Sequence, residues 1–193
     1  GYVPSIIGTF IAQSLNGSLL VEIFTARLMN LLIYMLLAYF ALRFMPFAKW
    51  ALFIVVLLPM SLFQAATITT DGVLNGLTFL FVAMILYLLA NKENVSRFPR
   101  RNYAILASLA GVSVLLALCK PTYILLLAML TLIPLSIFTA RWKKYFFIVF
   151  TSALAIVPAV LWNLHIKEYA TTIGQIYRSG FHVSSSHQLS NLL

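Results

Sequence analysis

Only four acidic residues occur in this 193-residue chain, and Asp71 is the most telling of them. It stands in Thr67-Ile68-Thr69-Thr70-Asp71-Gly72, a polar interval between two apolar runs. One use of such an acid is local: Asp71 or Thr70 can cap the following helix, since either side chain accepts from the free N–H groups of a first turn. The other is chemical: a carboxylate at a membrane surface binds a metal, a sugar or another polar acceptor, and a capped helix start would keep it rigid. Arg27 lies inside an apolar stretch, Thr25-Ala26-Arg27-Leu28-Met29-Asn30. A guanidinium there either snorkels to the interface or meets an anion, for which its fork of donors suits a phosphate or Asp71. Lys120, in Cys119-Lys120-Pro121-Thr122, is either a surface residue at a helix junction or a second cation aimed at a lipid phosphate. Arg178, beside Tyr177, is either a solvated loop residue or a further member of that set.

The remaining reactive types form no known machinery. His182 and His187 are five apart in a Ser-rich stretch and lack zinc-ligand spacing. Ser184–Ser186 beside His187 have neither the acid nor the nucleophile turn of a triad. His165 reads as an interfacial residue. The single Cys119 excludes an intrachain disulfide and a cysteine-based zinc site. Asn16-Gly17-Ser18 and Asn94-Val95-Ser96 match the glycan acceptor pattern by chance.

The elements that must position these residues are apolar. The chain is 62% hydrophobic and only 9% charged, with a mean hydropathy of +0.99. A soluble domain carries about 25% charged residues, so a soluble enzyme, a disordered tail and a fibrous protein are excluded. Backbone groups in lipid must bond within their own segment, and no alternating barrel pattern is present. The expected fold is therefore an all-α integral membrane protein. Six apolar segments approach the ~20 residues a span requires: Leu19 to Met45, Lys49 to Ala66, Gly72 to Ala90, Tyr103 to Cys119, Pro121 to Ala140 and Tyr145 to Asn163. Ahead of them, Val3, Ile6, Ile7, Phe10, Ile11 and Leu15 follow helical spacing opposite Ser5, Thr9, Gln13 and Asn16. That pattern predicts a short amphipathic helix lying in the membrane interface, with Pro4 in its first turn.

The net charge of +9 does not indicate nucleic acid, because the basic residues cluster in short gaps and lack an aromatic platform. Arg43, Lys49, Lys92, Arg97, Arg100, Arg101, Arg141, Lys143 and Lys144 all fall on one side of a six-span alternation. The positive-inside rule makes that side cytoplasmic and gives the Lys92–Arg101 loop an affinity for anionic lipid. Residues 1–18 are then an extracytoplasmic helix and turn, 19–164 a six-helix bundle, and 165–193 an extracytoplasmic loop or tail. Because the chain opens on Gly1 and shows no leader, it is expected to be a piece of something longer.

An outer helix opening Tyr2-Val3-Pro4, a span carrying Ala26-Arg27-Leu28-Met29-Asn30, a short inner turn, a span ending in Pro59-Met60 and an outer Thr70-Asp71 follow one another in this order. The arrangement resembles the GT-C superfamily of polytopic membrane glycosyltransferases, most of all its bacterial branch of predicted membrane proteins. The resemblance covers nearly the whole chain, and topology carries more of it than the short motifs do. It implies sugar transfer from a polyprenyl-phosphate-linked donor to a cell-envelope glycan, lipid or protein acceptor, at the outer face of a bacterial cytoplasmic membrane. It further implies that Asp71 holds a divalent cation, Mg or Mn, or the acceptor, and that Arg27 and Lys120 neutralise the leaving lipid phosphate. The superfamily's principal catalytic Asp would precede Gly1, so no residue here is assigned as the base. A transporter or flippase segment and a non-catalytic scaffold are the alternatives. The first predicts broken helices and sites near mid-bilayer, the second an Arg27 turned outward with no cavity near Asp71.

Overall fold

The computed structural model describes residues 2–15, 17–90, 99–138 and 141–180. Every element among them is helical: α1 (Val3–Ser14), α2 (Leu19–Phe44), α3 (Lys49–Val56), α4 (Pro59–Ala65), α5 (Asp71–Ala90), α6 (Pro99–Cys119), two 3₁₀ segments (Pro121–Leu132 and Leu135–Ile137) and α7 (Arg141–Gly180). The chain divides into two compact units, Gly1–Ile156 and Val157–Leu193. The arrangement that follows belongs to the first; the second contains the continuation of α7 to Gly180.

Burial in α1 and α2 is the reverse of a water-soluble protein. In α1 the packed residues are Pro4, Ser5, Gly8 and Ala12, whereas Val3, Ile6, Phe10 and Leu15 are exposed. Along α2 the buried stripe is Ala26, Asn30, Tyr34, Ala38 and Ala41, with Leu20, Phe24, Leu28 and Leu36 facing outward. Small and polar side chains inward, large apolar ones outward, is the pattern that lipid as solvent selects, because helices there associate by close packing. Gly8 shows how close: a Cβ at that position would sit 2.7 Å from the Thr25 carbonyl oxygen.

This contact corrects the expected placement of α1. Ser5 meets Asn30, Gly8 meets Ala26 and Gln13 approaches Glu22, so α1 runs antiparallel along the first turns of α2 as a hairpin. A helix docked lengthwise on α2 does not lie across it in the interface plane. Of the polar residues expected to face water, Ser5 is buried against α2 and Thr9 is half-buried, while Gln13 stays exposed.

The expected six continuous spans also need revision. Among the described residues only α2 and α5 are long and apolar enough to cross a membrane. The second expected span is broken into α3 and α4 at Leu57–Leu58. Pro59 has no N–H to donate and forces Leu58 into an extended conformation. The carbonyls freed by the break are satisfied: Tyr34 Oη donates to Val56 O at 2.8 Å, and Ser61 Oγ to Val55 O at 3.2 Å. The fifth expected span is a 3₁₀ helix that stops before Pro134. At about 2.0 Å per residue its 12 residues cover about 24 Å, more than an α-helix of that length would. The sixth does not end near Asn163 but runs as helix through Gly180.

Helix α5 is the centre of the first unit, with Leu74, Leu77, Phe81, Met84, Ile85 and Leu88 all buried. It lies parallel to α2. The turn before it meets Asn30, Gly76 packs on Leu37 and Tyr34, and Tyr87 meets Phe44 edge to face at 5.7 Å. Alternation of the first three expected spans predicts that parallel pair.

Candidate functional site

The turn between α4 and α5 is a polar junction. Asn30, only 1% exposed, accepts from Ser5 Oγ at 3.0 Å and donates through Nδ2 to the Thr67 carbonyl at 2.6 Å. A longer contact of 3.4 Å reaches the Thr69 carbonyl. Within the turn, the Thr67 and Thr69 hydroxyls share a bond of 2.9 Å, and Thr67 Oγ1 donates to Gln64 O. Asn75 of α5 donates to the Gln64 side chain of α4 at 2.7 Å. One amide thus ties α1 and α2 to the backbone that precedes Asp71, and a second ties α4 to α5. A buried amide in an apolar setting is costly unless paired, and this one is paired on both its oxygen and its nitrogen.

Asp71 opens α5, where a carboxylate is favoured by the positive end of the helix dipole. Backbone pairing places Thr70 just outside the helix, its carbonyl accepting from Leu74 N. Gly72 permits the close approach of α4, since a Cβ there would lie 2.5 Å from the Ala65 Cα. Across from Asp71, Lys120 occupies the extended residue between α6 and the Pro121–Leu132 3₁₀ helix. Its Nζ lies 3.2 Å from Asp71 Oδ1, and the two side chains are 50% and 42% exposed. An ion pair this open contributes roughly 0–1 kcal/mol to stability. Its charges stay accessible to a third group, and that is its chemical potential: an ammonium ready for a phosphate, a carboxylate ready for a hydroxyl.

Of the four residues named from sequence, the structure brings Asp71 and Lys120 together. Arg27 is exposed and takes no part in that pair. It sits three residues before Asn30, about 4.5 Å along the axis, and therefore close to the depth of the turn. The side chain of Arg178 lies outside the described residues, as do Lys92, Arg97, Asn94–Ser96, His182, Ser184–Ser186 and His187. Asn30 was not foreseen as a site residue. An amide inside an apolar run was the signal, and it was read only as a neighbour of Arg27.

Among the described residues no three of His, Cys, Asp and Glu gather as metal ligands. Asp71 is a lone carboxylate already facing an ammonium, so the residues present do not make a metal site by themselves. Two cavities lie elsewhere. One of about 680 Å³ is lined by Tyr39, Phe40, Arg43, Lys49 and Tyr87 among others. The other, about 660 Å³, runs between α6 and α7.

An inside-out helical unit with a polar junction at one end defines the class: an all-α membrane protein. The chain belongs to the family described as predicted membrane protein DUF2142, whose model matches residues 1–192. No curated protein and no solved structure matches it.

Proposed function

We propose that this chain forms part of a lipid-dependent glycosyltransferase that moves a sugar from a polyprenyl-phosphate-linked donor to a cell-envelope acceptor. The observation that carries the reading is the accessible Asp71–Lys120 pair on a turn fixed by Asn30. In the reaction, an acceptor hydroxyl attacks the anomeric carbon, the carbon–oxygen bond to the lipid phosphate breaks, and the phosphate leaves with the bonding electrons. Lys120 would neutralise that leaving charge, which is where preorganised cations stabilise a transition state most. Arg27, exposed near the same depth, would be a further phosphate ligand. Asp71 would orient the acceptor hydroxyl or contribute one ligand to a divalent cation. The base that takes the acceptor proton is not assigned to any residue of this chain.

In this reading the chain makes six passes, of which the second and fifth are not regular α-helices. The turn joining α1 to α2 and residues 165–193 face the outside of a bacterial cytoplasmic membrane, α1 packs on the outer turns of α2, and the basic end faces the cytoplasm. The broken α3–α4 segment is the feature a transporter would share. Its carbonyls at Val55 and Val56 are already taken by Ser61 and Tyr34, which leaves neither open for an ion or substrate.

The test is transfer of labelled sugar from a synthetic polyprenyl-phosphate donor by the full protein in proteoliposomes. Lys120→Gln and Asp71→Asn should each lower turnover at least tenfold while the thermal midpoint stays within a few degrees. Wild-type turnover in both variants would remove the pair from the mechanism.

A further inference from the structure

The cavity between α6 and α7 is independent of the Asp71 junction. Its walls are apolar from Tyr103 to Val114 on α6 and from Lys143 to Leu154 on α7. Each stretch covers twelve residues, about 16 Å of helix from first Cα to last, which is close to half of a hydrocarbon core of about 30 Å. Both helices start at the basic end of the bundle, so the groove lies in the half nearest that end and is about one leaflet deep. The protein does not fill it: a Cβ built on Gly111 would meet nothing within 4 Å.

The mouth is marked by charge. Lys144 donates to the Thr131 carbonyl at 2.9 Å, but the neighbouring Lys143 lines the groove, as does Tyr103, and is exposed. A hydrocarbon slot one leaflet deep, ending in an ammonium at headgroup level, is complementary to a lipid with an anionic head.

We propose that this groove binds one chain of an anionic phospholipid from the leaflet at the basic end, with the headgroup phosphate on Lys143. The inference does not depend on the glycosyltransferase reading. Native mass spectrometry of the full chain, released from micelles holding equimolar phosphatidylglycerol and phosphatidylcholine, tests it. One phosphatidylglycerol should stay bound in preference. Lys143→Gln should cut that preference about tenfold, the worth of one charge-assisted contact, and leave phosphatidylcholine retention unchanged. Gly111→Phe, whose ring would occupy the slot, should abolish retention of both, while Gly111→Ala should preserve it. Should the Phe variant fail to fold, the lysine variant decides alone. Equal retention of the two lipids by the wild type, or an unchanged preference in Lys143→Gln, would overturn the proposal.

Discussion

Two helical glycines divide the first unit into regions of opposite character. Gly72 in α5 has no room for a methyl group, because the Ala65 backbone would be 2.5 Å from its Cβ. Gly111 in α6 has nothing within 4 Å. Around Gly72 the helices are in backbone contact, and Asn30, Thr67, Thr69, Gln64 and Asn75 satisfy one another. Around Gly111 the walls stand apart and Thr151 is left without a partner. In lipid, where apolar burial between helices adds little, tight packing and hydrogen bonds fix geometry, and loose packing leaves space for something mobile. The contrast assigns rigidity to the Asp71 end and accommodation to the α6–α7 groove.

The same substitution at both positions is the strongest way to break this comparison. Gly72→Ala should destabilise by roughly 2–3 kcal/mol, since backbone must move to admit the methyl group. Gly111→Ala should be neutral or stabilise by up to about 1 kcal/mol, the helix propensity gained without a clash. Unfolding in mixed detergent micelles, titrated with sodium dodecyl sulfate, measures both. Equal losses would mean that the two regions are packed alike.

Asn30→Leu sharpens the comparison at its polar centre. The change leaves the Ser5 hydroxyl and the Thr67 carbonyl without partners in an apolar setting. The expected loss is about 2 kcal/mol, from two direct bonds and the desolvation of what they abandon. It should also loosen α1, so proteolysis or hydrogen exchange over residues 3–14 should rise, while exchange at Thr151 should not change. A uniform rise across the unit would contradict the idea that Asn30 is a local clasp.

How much of this was open to sequence reading follows from what each signal measures. The 3.6-residue spacing predicts α1 almost to the residue, because periodicity depends only on the helix. Which face packs was misread, because the rule assumes that water lies on the polar side. Here Ser5, Gly8 and Ala12 meet α2 and the large apolar residues face outward. Hydropathy finds the apolar run from Lys49 to Ala66 but is blind to the break at Leu57–Leu58. A proline inside such a run is as apolar as its neighbours, and the side chain that repairs the break, Tyr34, comes from another helix. The alternation of spans predicts Asp71 and Lys120 on the same face. It does not predict their pairing, since 49 residues separate them and only the fold closes that distance.

The smallest expected effect on stability belongs to that pair, and its smallness is what makes it diagnostic. Half-exposed partners at 3.2 Å should show a coupling below about 1 kcal/mol in a double-mutant cycle of Asp71→Asn and Lys120→Gln, and less at high salt. The junction that carries Asp71 is already fixed by Asn30 and Gly72, so the fold does not need the ion pair to place the carboxylate. A coupling of 3 kcal/mol or more would make the pair a structural strut, and the accessible charges would then need no further explanation. A small coupling, the ordinary value for an exposed pair, leaves the proposed use of the two charges by a third group standing, and turnover measured on the same four proteins separates the two cases.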